Sequence, residues 1–281
     1  MKLVRFGSAG AERPGLVLAD GSIADLSGVV PDLAGPALSA ESLKKLAAVD
    51  TAKLPKAQAG ARLGACVGGV GKFIAIGLNY ADHAAETGSK IPAEPIVFMK
   101  ATSCIVGPND TVLKPRGSTK MDWEVELGVV IGSVTRYVSE ADAPGHIAGY
   151  CVINDLSERH FQLERGGQWD KGKGCDTFGP LGPWLVTPDE VGDPANLTMW
   201  LDVNGIRRQT GSTKTMIFKP AFLVHYLSQF MSLHPGDVIT TGTPPGVGMG
   251  IKPEPIFLNV GDVIELGIEK LGNQRQVVAA A

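Results

Sequence analysis

Three acidic residues in two short apolar runs give this chain its clearest chemical signal: Glu124, Glu126 and Asp155. The first two lie in Met121-Asp-Trp-Glu-Val-Glu-Leu-Gly-Val-Val-Ile-Gly132, where Trp123, Val125, Leu127 and Val129 take the odd positions. Side chains on a strand alternate between faces, so Glu124 and Glu126 project together from the opposite one. Carboxylates held side by side repel each other unless a cation sits between them. Asp155 closes a second run, Gly149-Tyr-Cys-Val-Ile-Asn-Asp155, where a strand would deliver it to a rim. Three oxygen donors with no nearby Cys or His cluster suit a hard ion such as Mg²⁺ or Mn²⁺. The same alternation also fits a half-exposed strand with an acidic, solvated face.

A second constellation follows a strand-like run in Gly77-Leu-Asn-Tyr-Ala-Asp-His-Ala-Ala-Glu86. On a helix over 80–87, His83 and Glu86 stand three apart and can touch. A carboxylate orients an imidazole and stabilises its charged form, which suits activation of water; a solvated helix face is the alternative. Lys173 lies in the segment 166–176, too glycine-rich for a regular element, where a lysine could meet a substrate carboxylate; Lys171 shares that claim. In Thr240-Thr-Gly-Thr-Pro-Pro-Gly-Val-Gly-Met-Gly250, backbone N–H groups and hydroxyls could cradle an anion. It is not a P-loop, because the Gly-Lys-Ser/Thr ending is missing. No dinucleotide fingerprint, no Gly-x-Ser-x-Gly elbow and no cysteine in a thiolate-promoting context appears.

The elements that must position these residues are mostly strands. From Lys72 onward, short apolar runs alternate with turn signals, and the chain carries 36 Gly and 19 Pro in 281 residues. That predicts a mainly β architecture with some α, an α+β fold. Helices are expected at 80–87 and 219–231; in the second, Phe222, Leu223, Tyr226, Leu227 and Phe230 recur at helical spacing, a stripe read as core packing. Residues 1–30 read as two or three strands and 40–49 as a helix. The Ala/Lys/Pro/Gly-rich segment 52–64 reads as a linker, giving a small N-terminal α+β domain over 1–70 and a larger domain over 71–281.

Composition places the chain among ordinary globular proteins, with 44% hydrophobic and 20% charged residues. A net charge of −3 gives no basic footprint for nucleic acid or anionic membrane. No apolar run reaches the length of a membrane span, and the start turns polar too soon for a signal peptide. Cys66, Cys104, Cys151 and Cys175 show no Cys-x-x-Cys spacing and read as incidental thiols of a reducing cytoplasm.

Together these segments resemble the fumarylacetoacetate hydrolase family. The resemblance rests on Ile76-Gly-Leu-Asn-Tyr-Ala-Asp-His83, Phe98-Met-Lys100, Asp122-Trp-Glu-Val-Glu-Leu-Gly128, Asn154-Asp-Leu-Ser-Glu-Arg159, Val203-Asn-Gly205 and Thr241-Gly-Thr-Pro-Pro-Gly-Val-Gly248, in the family's order across about residues 73–270. It implies a mixed β-roll, in a homodimer, around Mg²⁺ or Mn²⁺ held by Glu124, Glu126 and Asp155. It makes His83 and Glu86 the water-activating pair on a lid, Lys173 the lysine beside the substrate and Thr243 the threonine near its acid end. Lys100, Arg159 and Gln162 match pocket positions. Ala101 departs from the family, in which many members have Pro there.

The chemistry so implied is hydrolysis of the C3–C4 bond of a 2,4-dioxo acid to a pyruvate-like acid and a second carboxylic acid. The long loop 162–176 resembles that of members acting on diketo-deoxy sugar acids, such as 2,4-diketo-3-deoxy-rhamnonate or -fuconate. Oxaloacetate decarboxylation, 2-oxo acid isomerisation and a ureidoglycolate lyase-type reaction on the same metal site stay open. So does a non-catalytic metal- or ligand-binding β protein, against which the His83–Glu86 pair counts.

Overall fold

The computed structural model describes residues 1–281, Thr87 by its backbone alone. Its centre is the antiparallel pair Val125–Ile131 and Ile147–Asn154, both buried along their whole length. The alternative of a half-exposed first strand with a solvated acidic face is not what forms. Instead both faces are covered, as the run Val-Val-Ile at its far end requires. A further sheet and the loop after Thr240 cover what alternation alone would leave exposed.

The pair is the middle of a large mixed sheet. On one side Ile147–Asn154 pairs with Gly179–Val186, which pairs in turn with Lys2–Phe6. On the other, Val125–Ile131 pairs with Val238–Thr240, followed by Phe73–Gly77 in parallel and by Ile96–Lys100 at the edge. The expected small N-terminal unit is therefore annealed to the main sheet through its first strand. Arg5 with Asp32 and Arg62 with Asp110 form ion pairs at 2.7 and 2.5 Å beside it.

A second, five-stranded sheet runs Ile206–Ser212, Thr198–Val203, Val263–Ile268, Gly272–Ala280 and Val112–Lys114. Three buried glutamines stitch it to the first. Gln274 donates to the Val152 carbonyl at 2.8 Å, Gln276 accepts from Asn154 at 3.1 Å, and Gln209 accepts from the Val125 N–H at 2.9 Å. Each satisfies a polar group that the apolar interior would otherwise strand at a cost of about 1–3 kcal/mol.

The C-terminal helix spans Pro220–Ser228, with Leu223, Val224 and Leu227 buried. The stripe is core only in part: Leu223 and Leu227 are fully buried and Tyr226 packs against the core, but the aromatic row runs out toward solvent. Phe222 stacks with Phe218 and Tyr226, Tyr226 meets Phe230 at 4.9 Å, and Phe230 is 65% exposed. At 100° per residue the 218–222–226–230 row and the 223–224–227 row point in different directions, so one core cannot take both. No helix is long and apolar enough to cross a membrane.

Candidate metal centre and its cleft

Register brings the three acids together. Ile153 stands opposite Glu126 and Asn154 opposite Val125, and the ladder continues with the Asp155 N–H donating to the Glu124 carbonyl at 2.9 Å. All three carboxyl groups are buried, and each offers an oxygen within 4.8 Å of the others. Asn154 accepts from the Glu124 N–H at 3.2 Å, while Gln209 holds Val125, the residue between the two glutamates. Gln209 also donates to Thr243 Oγ1 at 2.8 Å, and that hydroxyl donates to the Val125 carbonyl at 2.9 Å.

Three buried cations surround the acids. Lys173 Nζ donates to Glu124 Oε2 at 2.6 Å and to Asp155 Oδ2 at 2.7 Å. Arg159 spans Glu124 Oε1 at 2.6 Å, Asp122 at 2.8 Å and Gln162 at 3.1 Å. Lys100 Nζ reaches Asp155 Oδ1 at 2.5 Å and two backbone carbonyls. Burial opposes the charge on Glu124, but Arg159 and Lys173 outweigh it and hold the carboxyl well below its usual range. Burial likewise opposes the Lys173 ammonium, and Asp155 and Glu124 more than compensate.

Glu126 is different. Burial, reinforced by Asp155 and Glu124, pushes its carboxyl well above the ordinary range. Thr240 Oγ1 and the Gly242 N–H donate to Oε2 at 2.5 and 2.8 Å. Four carboxyl groups, Asp122, Glu124, Glu126 and Asp155, thus face three cations, Lys100, Arg159 and Lys173, and with Glu126 ionised one negative charge is left over. An all-oxygen, buried donor set with surplus negative charge fits a hard divalent ion.

The loop after Thr240 does cradle anions, but they belong to the protein. Besides Glu126, it binds Asp122 through the Gly248 and Met249 N–H groups at 2.6 and 3.0 Å, and Glu86 through the Gly246 N–H at 3.1 Å. Close packing explains two of its glycines. A Cβ on Gly246 would come within 1.9 Å of the Arg208 carbonyl, and one on Gly248 within 2.1 Å of the Ile256 carbonyl.

His83 and Glu86 meet as expected, Nδ1 to Oε2 at 3.0 Å, on the helix Ala81–Thr87. Lys173 does not lie in an irregular loop: Asp170–Lys173 is a short helix packed on the helix Arg159–Leu163. Gly172 permits that contact, since a Cβ there would sit 2.4 Å from the Glu158 carbonyl. Lys171 turns away and bonds the Arg165 carbonyl.

A cleft of about 280 Å³ joins these parts, lined by His83, Glu124, Glu126, Asp155, Arg159, Gln162, Lys173 and Thr243 among others. Lys100 is not among its lining residues; it stands behind Asp155 with a fully buried side chain. Sequence reading passed over Gln209, and over Phe98 and Trp169 as cleft walls. Trp169 packs edge-on to Phe98, ring centres 5.2 Å apart. A buried glutamine on a distant strand leaves no local signal.

The profile of the fumarylacetoacetate (FAA) hydrolase C-terminal domain matches residues 72–279. The chain belongs to the fumarylacetoacetate hydrolase family. A Burkholderia multivorans protein whose name goes no further than hydrolase is 62% identical over 281 residues, with 100% of both chains covered. The solved fumarylacetoacetate hydrolase of psychrophilic Exiguobacterium antarcticum is 37% identical with TM-score 0.88, covering 100% of both chains. Maleylpyruvate hydrolase from Sphingobium sp. SYK-6, solved with manganese(II) and pyruvate, is 30% identical with TM-score 0.82, again over 100% of both. As in these relatives, the fold combines mixed sheets with few helices.

Proposed function

We propose that this protein is a divalent-metal-dependent hydrolase that cleaves the C3–C4 bond of a 2,4-dioxo acid of the acylpyruvate type. The carrying observation is the buried acid cluster with one uncompensated charge, opening into the same cleft as the His83–Glu86 pair. Glu124, Glu126 and Asp155 would hold Mg²⁺ or Mn²⁺, a choice supported by the manganese and pyruvate in the Sphingobium relative. When bound, such an ion supplies Lewis-acid stabilisation of negative charge on the 2-oxo acid half.

The chain's own groups do the rest. Lys173 and Arg159 keep Glu124 ionised and fixed, and Lys173 also ties down Asp155. Lys100, behind Asp155, positions that ligand and does not touch substrate. Thr243 and Gln162 lie in the cleft wall where the acid end of a substrate would sit. His83, oriented by Glu86, takes a proton from water as the oxygen attacks the distal carbonyl. The C3–C4 bond then breaks with its electron pair going to C3. Return of the proton to that carbon yields the pyruvate-like acid and a second carboxylic acid.

Supplying 2,4-dioxo acids with Mg²⁺ or Mn²⁺ and reading products by mass spectrometry tests the reading. Pyruvate plus the acyl-derived acid is expected, with loss of turnover under chelation. Full activity in exhaustively chelated protein would falsify it.

Two organisational readings accompany it. Residues 1–70 act as an accessory unit to a catalytic domain at 71–281, which the profile match from residue 72 supports. The chain works as a homodimer, supported by exposed Phe230 and Tyr137, which a partner surface would cover; light scattering should give twice the chain mass.

A further inference from the structure

The cleft has two unlike ends. Its floor carries the acids and their cations, whereas its outer walls are mostly apolar, with Leu78, Ile96, Phe98, Leu163 and Trp169 beside the single hydroxyl of Ser89. Ile96 is 36% and Leu163 43% exposed, so these two mark the mouth. The aromatic pair is built in: Trp169 lies on Gly77, where a Cβ would stand 2.7 Å from the indole.

Among the described residues the only Lys or Arg side chains lining the cleft are Arg159 and Lys173, and each already binds two site carboxylates. Other cations on these elements face elsewhere: Lys171 bonds the Arg165 carbonyl, and the Arg165 guanidinium lies over the Phe161 ring. A second carboxylate on the substrate would lose water against mostly apolar walls without gaining a cation among the described lining residues.

Accepting the acylpyruvate reading above, we propose that the acyl tail is apolar and uncharged, seated on Ile96, Phe98, Leu163 and Trp169. This narrows the substrate class to alkyl- or aryl-acylpyruvates. It sets aside polyhydroxylated sugar acids, whose hydroxyls would lose water against these side chains without gaining partners. It also separates this chain from maleylpyruvate hydrolase, whose substrate name denotes a second carboxylate.

Two matched six-carbon ligands test the tail without requiring turnover. With the Mn²⁺-loaded protein, calorimetric titration should show 2-oxohexanoate binding at least tenfold tighter than 2-oxoadipate. In hydrolysis assays, kcat/KM should rise about fourfold per methylene from acetylpyruvate to butanoylpyruvate, the effect of burying each added CH₂. Leu163→Arg, at an exposed rim position, should raise affinity for 2-oxoadipate and lower it for 2-oxohexanoate. Equal or tighter binding of 2-oxoadipate by the wild type overturns the tail proposal while leaving hydrolysis intact. Absence of hydrolysis with the binding order preserved overturns the reaction and leaves the tail seat standing. If neither acid binds, both fall.

Discussion

The floor and the mouth of the cleft are built by different rules. At the floor Glu124, Asp155, Arg159, Lys173 and Lys100 have their oxygens or nitrogens tied by neighbours at 2.5–3.3 Å, Glu124 and Asp155 at the ends of the two central strands and Lys100 with a fully buried side chain although it closes the edge strand. At the mouth, Ile96 stands on the edge strand of the sheet and Leu163 at the end of a five-residue helix, both partly in water. Floor residues are held by one another and so cannot vary singly. Mouth residues touch little that depends on them. The proposed reaction puts its chemistry in the first region and its selectivity in the second.

The strongest way to break this contrast is to remove the floor's reactive parts. His83→Ala and Glu86→Ala should each lower acylpyruvate cleavage by about 10²–10⁴-fold, the usual contribution of a positioned base. Any oxaloacetate decarboxylation should survive better, because carbon dioxide leaves without attack by water. Steady-state rates for both reactions in both variants decide this, and unchanged cleavage in His83→Ala would remove the histidine from the mechanism.

Stability offers a second test. Lys100→Met leaves Asp155 buried without its closest cation and should cost roughly 3–5 kcal/mol in chemical denaturation. Leu163→Ala, at the exposed mouth, should stay within about 0.5 kcal/mol of wild type. Comparable losses at the two sites would erase the distinction between them.

The smallest effect sharpens the role of Glu126. Burial, Asp155 and Glu124 raise its pKa, so its proton must leave before it can bind an ion. Mn²⁺ affinity should therefore increase with pH above the ordinary carboxylate range, measured by titration at several pH values. In chelated protein the sign reverses. The raised pKa favours folding below the ordinary value, and that stability is lost as pH rises through the raised one. Denaturation midpoints with chelator should fall with pH, and added Mn²⁺ should flatten the slope.

Much of the floor was legible in the sequence because it rests on period-two alternation and on i, i+3 spacing. Glu124, Glu126 and Asp155 converge, and His83 meets Glu86, for those reasons. What could not be read locally is what comes from elsewhere in the chain. Gln209 reaches Val125 from the second sheet, 84 residues away. Glycines at 166–176 argued for a loop, yet Gly172 serves a helix by letting it approach another. The aromatic row on Pro220–Ser228 has helical spacing, but spacing alone does not say which of two adjacent rows faces inward.

The segment 240–250 holds Glu126, Asp122 and Glu86 through its own main chain, so a member of the acid cluster, the anchor of Arg159 and the partner of His83 share one reference frame. The consequence is for how such a site tolerates change. A shift in this loop misplaces all three carboxylates at once, so alignment errors there compound instead of being absorbed one residue at a time. Side chains along 240–250 that face solvent are free to drift, but its backbone path is not. Transplanting a new specificity into this scaffold should therefore leave 240–250 whole and begin at the rim, where a replacement disturbs no neighbour's geometry.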